Sequence, residues 1–269
     1  MTDPLPPSAP DRLALTGGSG RVGRLLAHVW AGADVAWIGR GDPGTVALTG
    51  RRCLIALAGA TSGDAAALAM NAVLACDALE AARAAGVGRV LLLSSAAVYG
   101  RRTGSLEETM APTPASPYGA AKADLEAAVA RWRATDPGGT EAVCLRLGNV
   151  AGADALLGRL GAAPPVLDVF TDGRGPRRSY VGPMTLAHVL AGLAAHPGPL
   201  PPVLNVAAGV VDMAALLAAA GRDWTPRAAP PEAIAEVALD TRLLHGLVPV
   251  PEDARRPDRM VAEWRGLAP

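Results

Sequence analysis

Tyr118 and Lys122 stand four residues apart in the stretch SPYGAAK. On a helix that spacing puts both side chains on one face, with the ammonium near the phenol. An ordinary phenol has a pKa near ~10 and is a poor base at neutral pH. Lowering it by ~3 units takes about 4 kcal/mol of preferential stabilisation of the phenolate, which a neighbouring ammonium and a second bound cation can supply. The chemistry of such a pair is proton transfer to or from an alcohol or carbonyl. Its meaning depends on the elements around it.

Two of those elements precede it. Leu13 to Gly23 reads LALTGGSGRVG: a short apolar run, a glycine-rich turn, then an amphipathic stretch. This is the pattern of a strand, a phosphate-binding loop and a helix. Gly17, Gly20 and Gly23 are three residues apart and enclose Arg21 and Val22. They suit a tight turn, a close backbone approach to a pyrophosphate and helix-on-strand packing. The next helix shows Val22, Leu25, Leu26, Val29 and Trp30 on one side, and its amino end directs N–H groups at a phosphate. The second element is VLLLSSAAVYG from Val90 to Gly100. Its unbroken apolar run predicts a parallel strand covered on both faces. Ser94 and Ser95 fall at its carboxyl end, the edge where open α/β sheets bind ligands.

TGGSGRVG, SSAAVYG and YGAAK, in this order, resemble the extended short-chain dehydrogenase/reductase family, the NAD-dependent epimerase/dehydratase branch. The resemblance continues through CLIALAGAT from Cys53, similar to the family's fourth-strand segment, and through Asn71, LRLGNVAG from Leu145, RRSYVGPMTLAHVL from Arg177 and LNVAAG from Leu204. It covers nearly the whole chain. It implies an α/β fold with a doubly wound parallel sheet of the Rossmann type and a smaller interleaved carboxyl-terminal region capping the substrate. It also implies that Ser95 orients the reacting C–O group, Tyr118 is the general acid/base, and Lys122 lowers its pKa and binds the nicotinamide ribose. Gly17, Gly20, Arg21, Val22, Gly23, Ala58, Gly59, Tyr118 and Lys122 would hold the dinucleotide. Asn149 and Arg178 would meet the substrate or its diphosphate. Tyr99 is expected to pack near the site, since position 103 is Thr103 rather than a lysine.

Departures from the family pattern refine these expectations. NAD-preferring members carry an acidic residue after the second strand, whereas this chain reads Gly39-Arg40 with no carboxylate before Asp42. Arg40 at this edge suits a 2′-phosphate, so NADP(H) is favoured over NAD(H). The stretch from Arg40 to Arg52 is short and leaves room for a stub of a third strand at Val46-Ala47-Leu48, with its preceding helix lost. Ala96-Ala97 replace the acidic pair of the dehydratases, which argues against elimination of water. Hydride transfer to or from a secondary alcohol or ketone is favoured, possible substrates including nucleotide sugars. An epimerase with tightly bound NAD is the alternative, and a non-catalytic NADP(H) sensor a second one.

The 269-residue chain suits one large α/β domain with a small addition. Residues 1–10, MTDPLPPSAP, read as a loose tail, 11–150 as the dinucleotide-binding domain and 151–269 as the substrate region, with segments near Tyr180 and Asn205 returning to the main sheet. Its 25 basic and 25 acidic residues cancel, so charge points to neither nucleic acid nor an anionic membrane. Aromatic residues make up 3%, which leaves alanine, leucine and valine to fill the core; the five tryptophans read as packing anchors. Cys53, Cys76 and Cys144 read as free thiols of a reducing compartment. No cysteine pair has metal-ligand spacing, the four histidines are scattered, and no metal is expected. No stretch reads as a membrane span, a cytoplasmic location is expected, and a homodimer is the expected assembly.

Overall fold

The computed structural model describes residues 11–39, 44–136 and 138–267. The tail at residues 1–10 and Arg40 lie outside the described residues. β1 (Leu13–Thr16) feeds the glycine turn and α1 (Arg21–Val29). Then come β2 (Val35–Ile38), the short α2 (Gly44–Leu48), β3 (Cys53–Ala56) and α3 (Ala65–Ala84). β4 (Arg89–Ser95) runs through a 3₁₀ turn at Ala96–Tyr99 to β5 (Ser105–Leu106), α4 (Pro117–Thr135) and β6 (Glu141–Leu147). The remaining chain forms β7 (Asn149–Val150), β8 (Val166–Val169), β9 (Arg177–Val181), α5 (Pro183–Ala195) and β10 (Val203–Val206). It ends with β11 (Gly209–Asp212), α6 (Met213–Ala219), β12 (Thr225–Ala228), β13 (Glu236–Leu239), α7 (Arg242–Leu247) and α8 (Pro257–Arg265).

The main sheet has the order β10-β6-β4-β3-β1-β2, and its pairs are all parallel. Strand side chains alternate between the two faces, so each apolar run divides between two cores. Leu13, Leu15, Ile55, Leu91, Val143 and Leu145 pack with Leu26 and Val29 of α1 and Leu186 and Leu190 of α5. Ala14, Leu54, Val90, Leu92, Ala142 and Cys144 pack on the other side with Leu79 of α3 and Leu125, Val129 and Trp132 of α4. This is the doubly wound, Rossmann-like fold that the motifs predicted.

Three expectations change. Val46-Ala47-Leu48 belongs to helix α2, not to a strand, and Leu48 is buried against the α3 side of the sheet. The run from Cys53 is therefore the third strand of the chain, and β2 forms the sheet edge. A further parallel strand needs a crossover of a dozen or more residues, and the connection between β2 and β3 holds a helix instead. Second, Asn205 lies on β10 in the main sheet, but Tyr180 lies on β9 in a separate sheet, β11-β9-β13-β5, with β7 paired to β9. A two-stranded ribbon, β12-β8, completes the carboxyl-terminal part. Third, α3 spans 20 residues at a mean hydropathy of 1.4, long and apolar enough to cross a membrane by length and composition. Its alanine-rich turns bury Leu68, Asn71, Ala75, Leu79 and Ala82 at helical spacing.

Candidate active site

The glycine turn follows β1. Gly17 has φ +77°, and a Cβ there would lie 2.6 Å from the Ala58 nitrogen. A Cβ on Gly23 would lie 2.3 Å from the Gly17 carbonyl oxygen. Neither position admits a side chain without moving backbone. The Gly20 N–H closes the turn on Gly17 O at 3.0 Å. Gly20 also caps α1 with no side-chain bond, so the helix presents its leading N–H groups uncapped.

β4 and α4 carry the proton-transfer groups. Ser116 starts α4 by accepting the Gly119 N–H at 3.1 Å, and Pro117 occupies the first turn. Tyr118 and Lys122 then face the end of β4. Ser95 caps the next turn, its Oγ accepting the Ala97 N–H at 3.2 Å, and it lines the same cavity as Tyr118. Lys122 is 5% exposed and donates to the Leu93 carbonyl at 2.8 Å, with Nζ 6.0 Å from the Tyr118 ring centroid. Burial lowers the ammonium's pKa to about 8, against the opposing fields of Cys144 and Glu126. In the protein alone the Tyr118 phenol is raised above its ordinary value, contrary to the depression expected from sequence. Burial is the main cause, and the Ser95 hydroxyl and the Arg21 charge pull the other way. Arg21, the first residue of α1, is thus a second cation acting on the phenol.

These groups share one cavity of about 610 Å³. It is lined by Gly17, Gly20, Arg21, Val22 and Gly23 from the glycine turn and α1, and by Gly59 after β3. Ser95, Tyr118 and Lys122 line the same space, as does Asn149 at the start of β7. Ala58 is absent from the lining; its backbone packs behind Gly17, and its N–H reaches the Thr16 hydroxyl at 3.4 Å. Arg178 is also absent from the lining. Its guanidinium donates to the carbonyls of Arg177 (2.8 Å), Ala235 (3.1 Å) and Ile234 (2.6 Å), joining β9 to the segment before β13. The backbone there offers carbonyl acceptors, and Arg178 spends its donors on them instead of facing the cavity.

Asn71, to which the resemblance gave no role, adds a further group from inside α3. It is fully buried and donates to the Ala60 and Leu68 carbonyls at 3.0 and 2.8 Å. Its Oδ1 has no hydrogen-bond partner among the described residues. A Cβ on Gly59 would lie 2.5 Å from that oxygen and 3.4 Å from Lys122 Nζ, so Asn71 sits directly behind two residues that line the cavity. A side-chain-free cradle, uncapped helix N–H groups, an orphaned buried acceptor and a lysine with spare donors fit a nicotinamide dinucleotide.

A buried polar network that motif reading missed lies behind Lys122. Ser94 donates to Glu126 Oε1 at 2.6 Å, and Arg146 of β6 grips both Glu126 oxygens at 2.8–3.2 Å. The Arg146 guanidinium also stacks 4.7 Å from the Tyr99 ring centroid. Tyr99 is buried with its hydroxyl donating to Asn205 Oδ1 at 2.8 Å, the packing role expected for it. The Glu126 signal was available in sequence as a carboxylate one turn past Lys122, but Arg146 meets it only through the sheet.

Residues 53–162 match the model of the NAD dependent epimerase/dehydratase family. The resemblance read from the motifs therefore stands for that segment, and the family's enzymes are NAD-dependent. No curated protein matches the chain in sequence. Among solved structures, TunA, an NAD-dependent NDP-hexosamine 5,6-dehydratase involved in tunicamycin biosynthesis, is 24% identical at a TM-score of 0.75, over 95% of this chain and 98% of its own. UDP-N-acetylglucosamine 4-epimerase from Methanobrevibacter ruminantium M1, in complex with UDP-N-acetylmuramic acid, is 18% identical at 0.75, over 97% and 100%. A short-chain dehydrogenase/reductase superfamily protein from Agrobacterium tumefaciens with bound NAD is 21% identical at 0.75, over 95% and 96%. These likenesses establish the fold.

Proposed function

Taking residues 53–162 as a segment of the NAD dependent epimerase/dehydratase family, we propose that the protein is an NAD(P)-dependent oxidoreductase. Its substrate is the secondary alcohol or ketone of a phosphorylated compound such as a nucleotide sugar. One observation carries this reading: the glycine turn, Ser95, Tyr118, Lys122 and Asn149 line a single cavity. The dinucleotide, when bound, supplies or accepts the hydride. Tyr118 gives its proton to the carbonyl oxygen in reduction and takes it back in oxidation. Ser95, which lines the same cavity, donates its hydroxyl to that oxygen and holds it towards the phenol. Lys122 is fixed by the Leu93 carbonyl, keeps its charge beside the phenol and retains donors for ribose hydroxyls. Leu93, Leu147, Val150 and Ala153 give the cavity apolar walls, which strengthen these polar contacts.

NADP(H) is the cofactor we favour, because Gly39-Arg40 follows β2 where a carboxylate would repel a 2′-phosphate. The neighbours TunA and the Agrobacterium protein are NAD proteins, so the preference needs its own test. Arg40→Ala should weaken NADPH binding by about tenfold and leave NADH within about twofold; equal losses would remove Arg40 from cofactor choice.

An epimerase that keeps its NAD is supported by one contact. Arg21 of the glycine loop donates across the cleft to the Asp154 carbonyl at 2.8 Å, a strap that would slow cofactor exchange. Ala96-Ala97 and Asp154, the single lining carboxylate among the described residues, leave elimination of water without a spare acid and base. Mass spectrometry of the purified protein separates the readings. Stoichiometric retained NAD favours epimerisation, and exchangeable cofactor with NADPH-dependent reduction of carbonyl compounds favours the reductase. A protein that binds neither dinucleotide overturns both.

A further inference from the structure

Among the described residues three guanidinium groups line the cavity, Arg21, Arg24 and Arg159, against one carboxylate, Asp154. That carboxylate is already engaged. Its Oδ2 accepts the Tyr180 hydroxyl at 2.6 Å, and its Oδ1 accepts the N–H groups of Leu157 and Gly158 at 2.9 and 3.2 Å. The lining is therefore strongly cationic.

The arginines differ in what holds them. Arg24 donates to the Ser19 carbonyl at 2.6 Å and Arg21 to the Asp154 carbonyl at 2.8 Å, and both belong to α1 beside the glycine turn. They are placed for the pyrophosphate of a dinucleotide. Arg159 comes from the other half of the chain, in the segment after β7, and it makes no hydrogen bond or ion pair with any described residue. The segment that carries it is nonetheless anchored. Asp154 pins the two residues before Arg159 through their N–H groups, Tyr180 pins Asp154, and Arg21 ties the same residue to the glycine loop. An uncommitted guanidinium on an anchored wall of a cleft is a ready fork for a phosphate. Arg178 has no such freedom, its donors being spent on three carbonyls.

The geometry points to Arg159 as the residue that binds a phosphate or diphosphate group of the substrate, separately from the pyrophosphate of the cofactor. This rests on reading the cavity as a dinucleotide–substrate cleft. It gives the substrate half a cation that the motifs did not identify, from the segment after β7.

The test uses the full-length protein saturated with NADPH and titrated calorimetrically with inorganic pyrophosphate and with UDP. Wild type should bind at least one of them. Arg159→Gln should weaken that binding by about tenfold or more while NADPH affinity stays within about twofold, and Arg159→Lys should restore part of the loss. Tighter binding of UDP than of pyrophosphate assigns the site to a nucleotide-bearing substrate, and equal binding to a simpler phosphorylated one. The inference fails if Arg159→Gln changes neither affinity, if neither probe binds the NADPH-loaded wild type, or if NADPH affinity falls in parallel. A wild type that cannot bind any dinucleotide removes the functional reading first, and the inference with it.

Discussion

Glu126 and Arg146, twenty residues apart in the chain, form a two-pronged ion pair in the interior, with Arg146 Nη2 2.8 Å from Glu126 Oε2. Both side chains are more than nine-tenths buried, at 8% and 3% exposure. The pair lies one helical turn from Lys122, and Ser94 supplies Glu126 with a further hydrogen bond. Removing one partner strands the other charge in a low-dielectric interior. Arg146→Met should therefore destabilise the fold by about 3–5 kcal/mol, measured by urea unfolding. Adding Glu126→Gln should cost less than the sum of the single changes; strict additivity would mean the two side chains are not coupled.

Tyr118→Phe keeps the ring that packs beside Ser95 and deletes the proton. Turnover should fall by about 10²-fold or more with dinucleotide affinity nearly unchanged. Steady-state rates together with NADPH fluorescence titration check both halves. A near-normal rate would take the proton-transfer role away from Tyr118.

Lys122 makes stability depend on pH. Burial lowers its pKa to about 8 in the folded protein, from 10.5 for an ordinary lysine. Between those values the unfolded chain binds more protons than the folded one, so this group's contribution to stability rises with pH across the window. Below about pH 8 the full penalty applies, roughly 3 kcal/mol. Lys122→Met removes it at the cost of the bond to Leu93. The variant's stability relative to wild type should be highest near pH 7 and decline towards pH 10. Urea melts across that range test this, and a difference that is flat with pH would show that Lys122 does not titrate there.

Gly23→Ala tests the phosphate cradle. The added methyl would sit 2.3 Å from the Gly17 carbonyl oxygen, and 2.8 Å from Gly18 Cα, so the turn must open. Dinucleotide affinity should drop by about tenfold or more, since the backbone N–H groups of the loop move with it. Gly161→Ala, where a Cβ has open space, serves as the control. Equal affinity in the two variants would detach the cradle from cofactor binding.

How far the sequence could be read depended on the range of each interaction. The Ser116 cap, Pro117 and the four-residue spacing of Tyr118 and Lys122 are local signals, and α4 forms as they predict. The run Val90–Leu93 announced a strand covered on both faces, and its residues do divide between the two cores. Val46-Ala47-Leu48 misled because three apolar residues suit a strand or a helical turn equally, and the length of the connection decided between them. Arg178 misled for another reason: a long cation can reach many acceptors, and two of its three partners lie more than fifty residues further on.

The order of motifs along the chain determined the fold class and which serine, tyrosine and lysine belong to one site, because each motif is a short-range pattern of turn chemistry and periodicity. Tertiary structure alone decided which cations face the cavity and which are spent on backbone carbonyls. It also decided that Arg21 as well as Lys122 stands near the phenol, and that Glu126 and Arg146 meet behind it. Those outcomes depend on distances between segments far apart in the chain, and only the packed sheet and its helices set them.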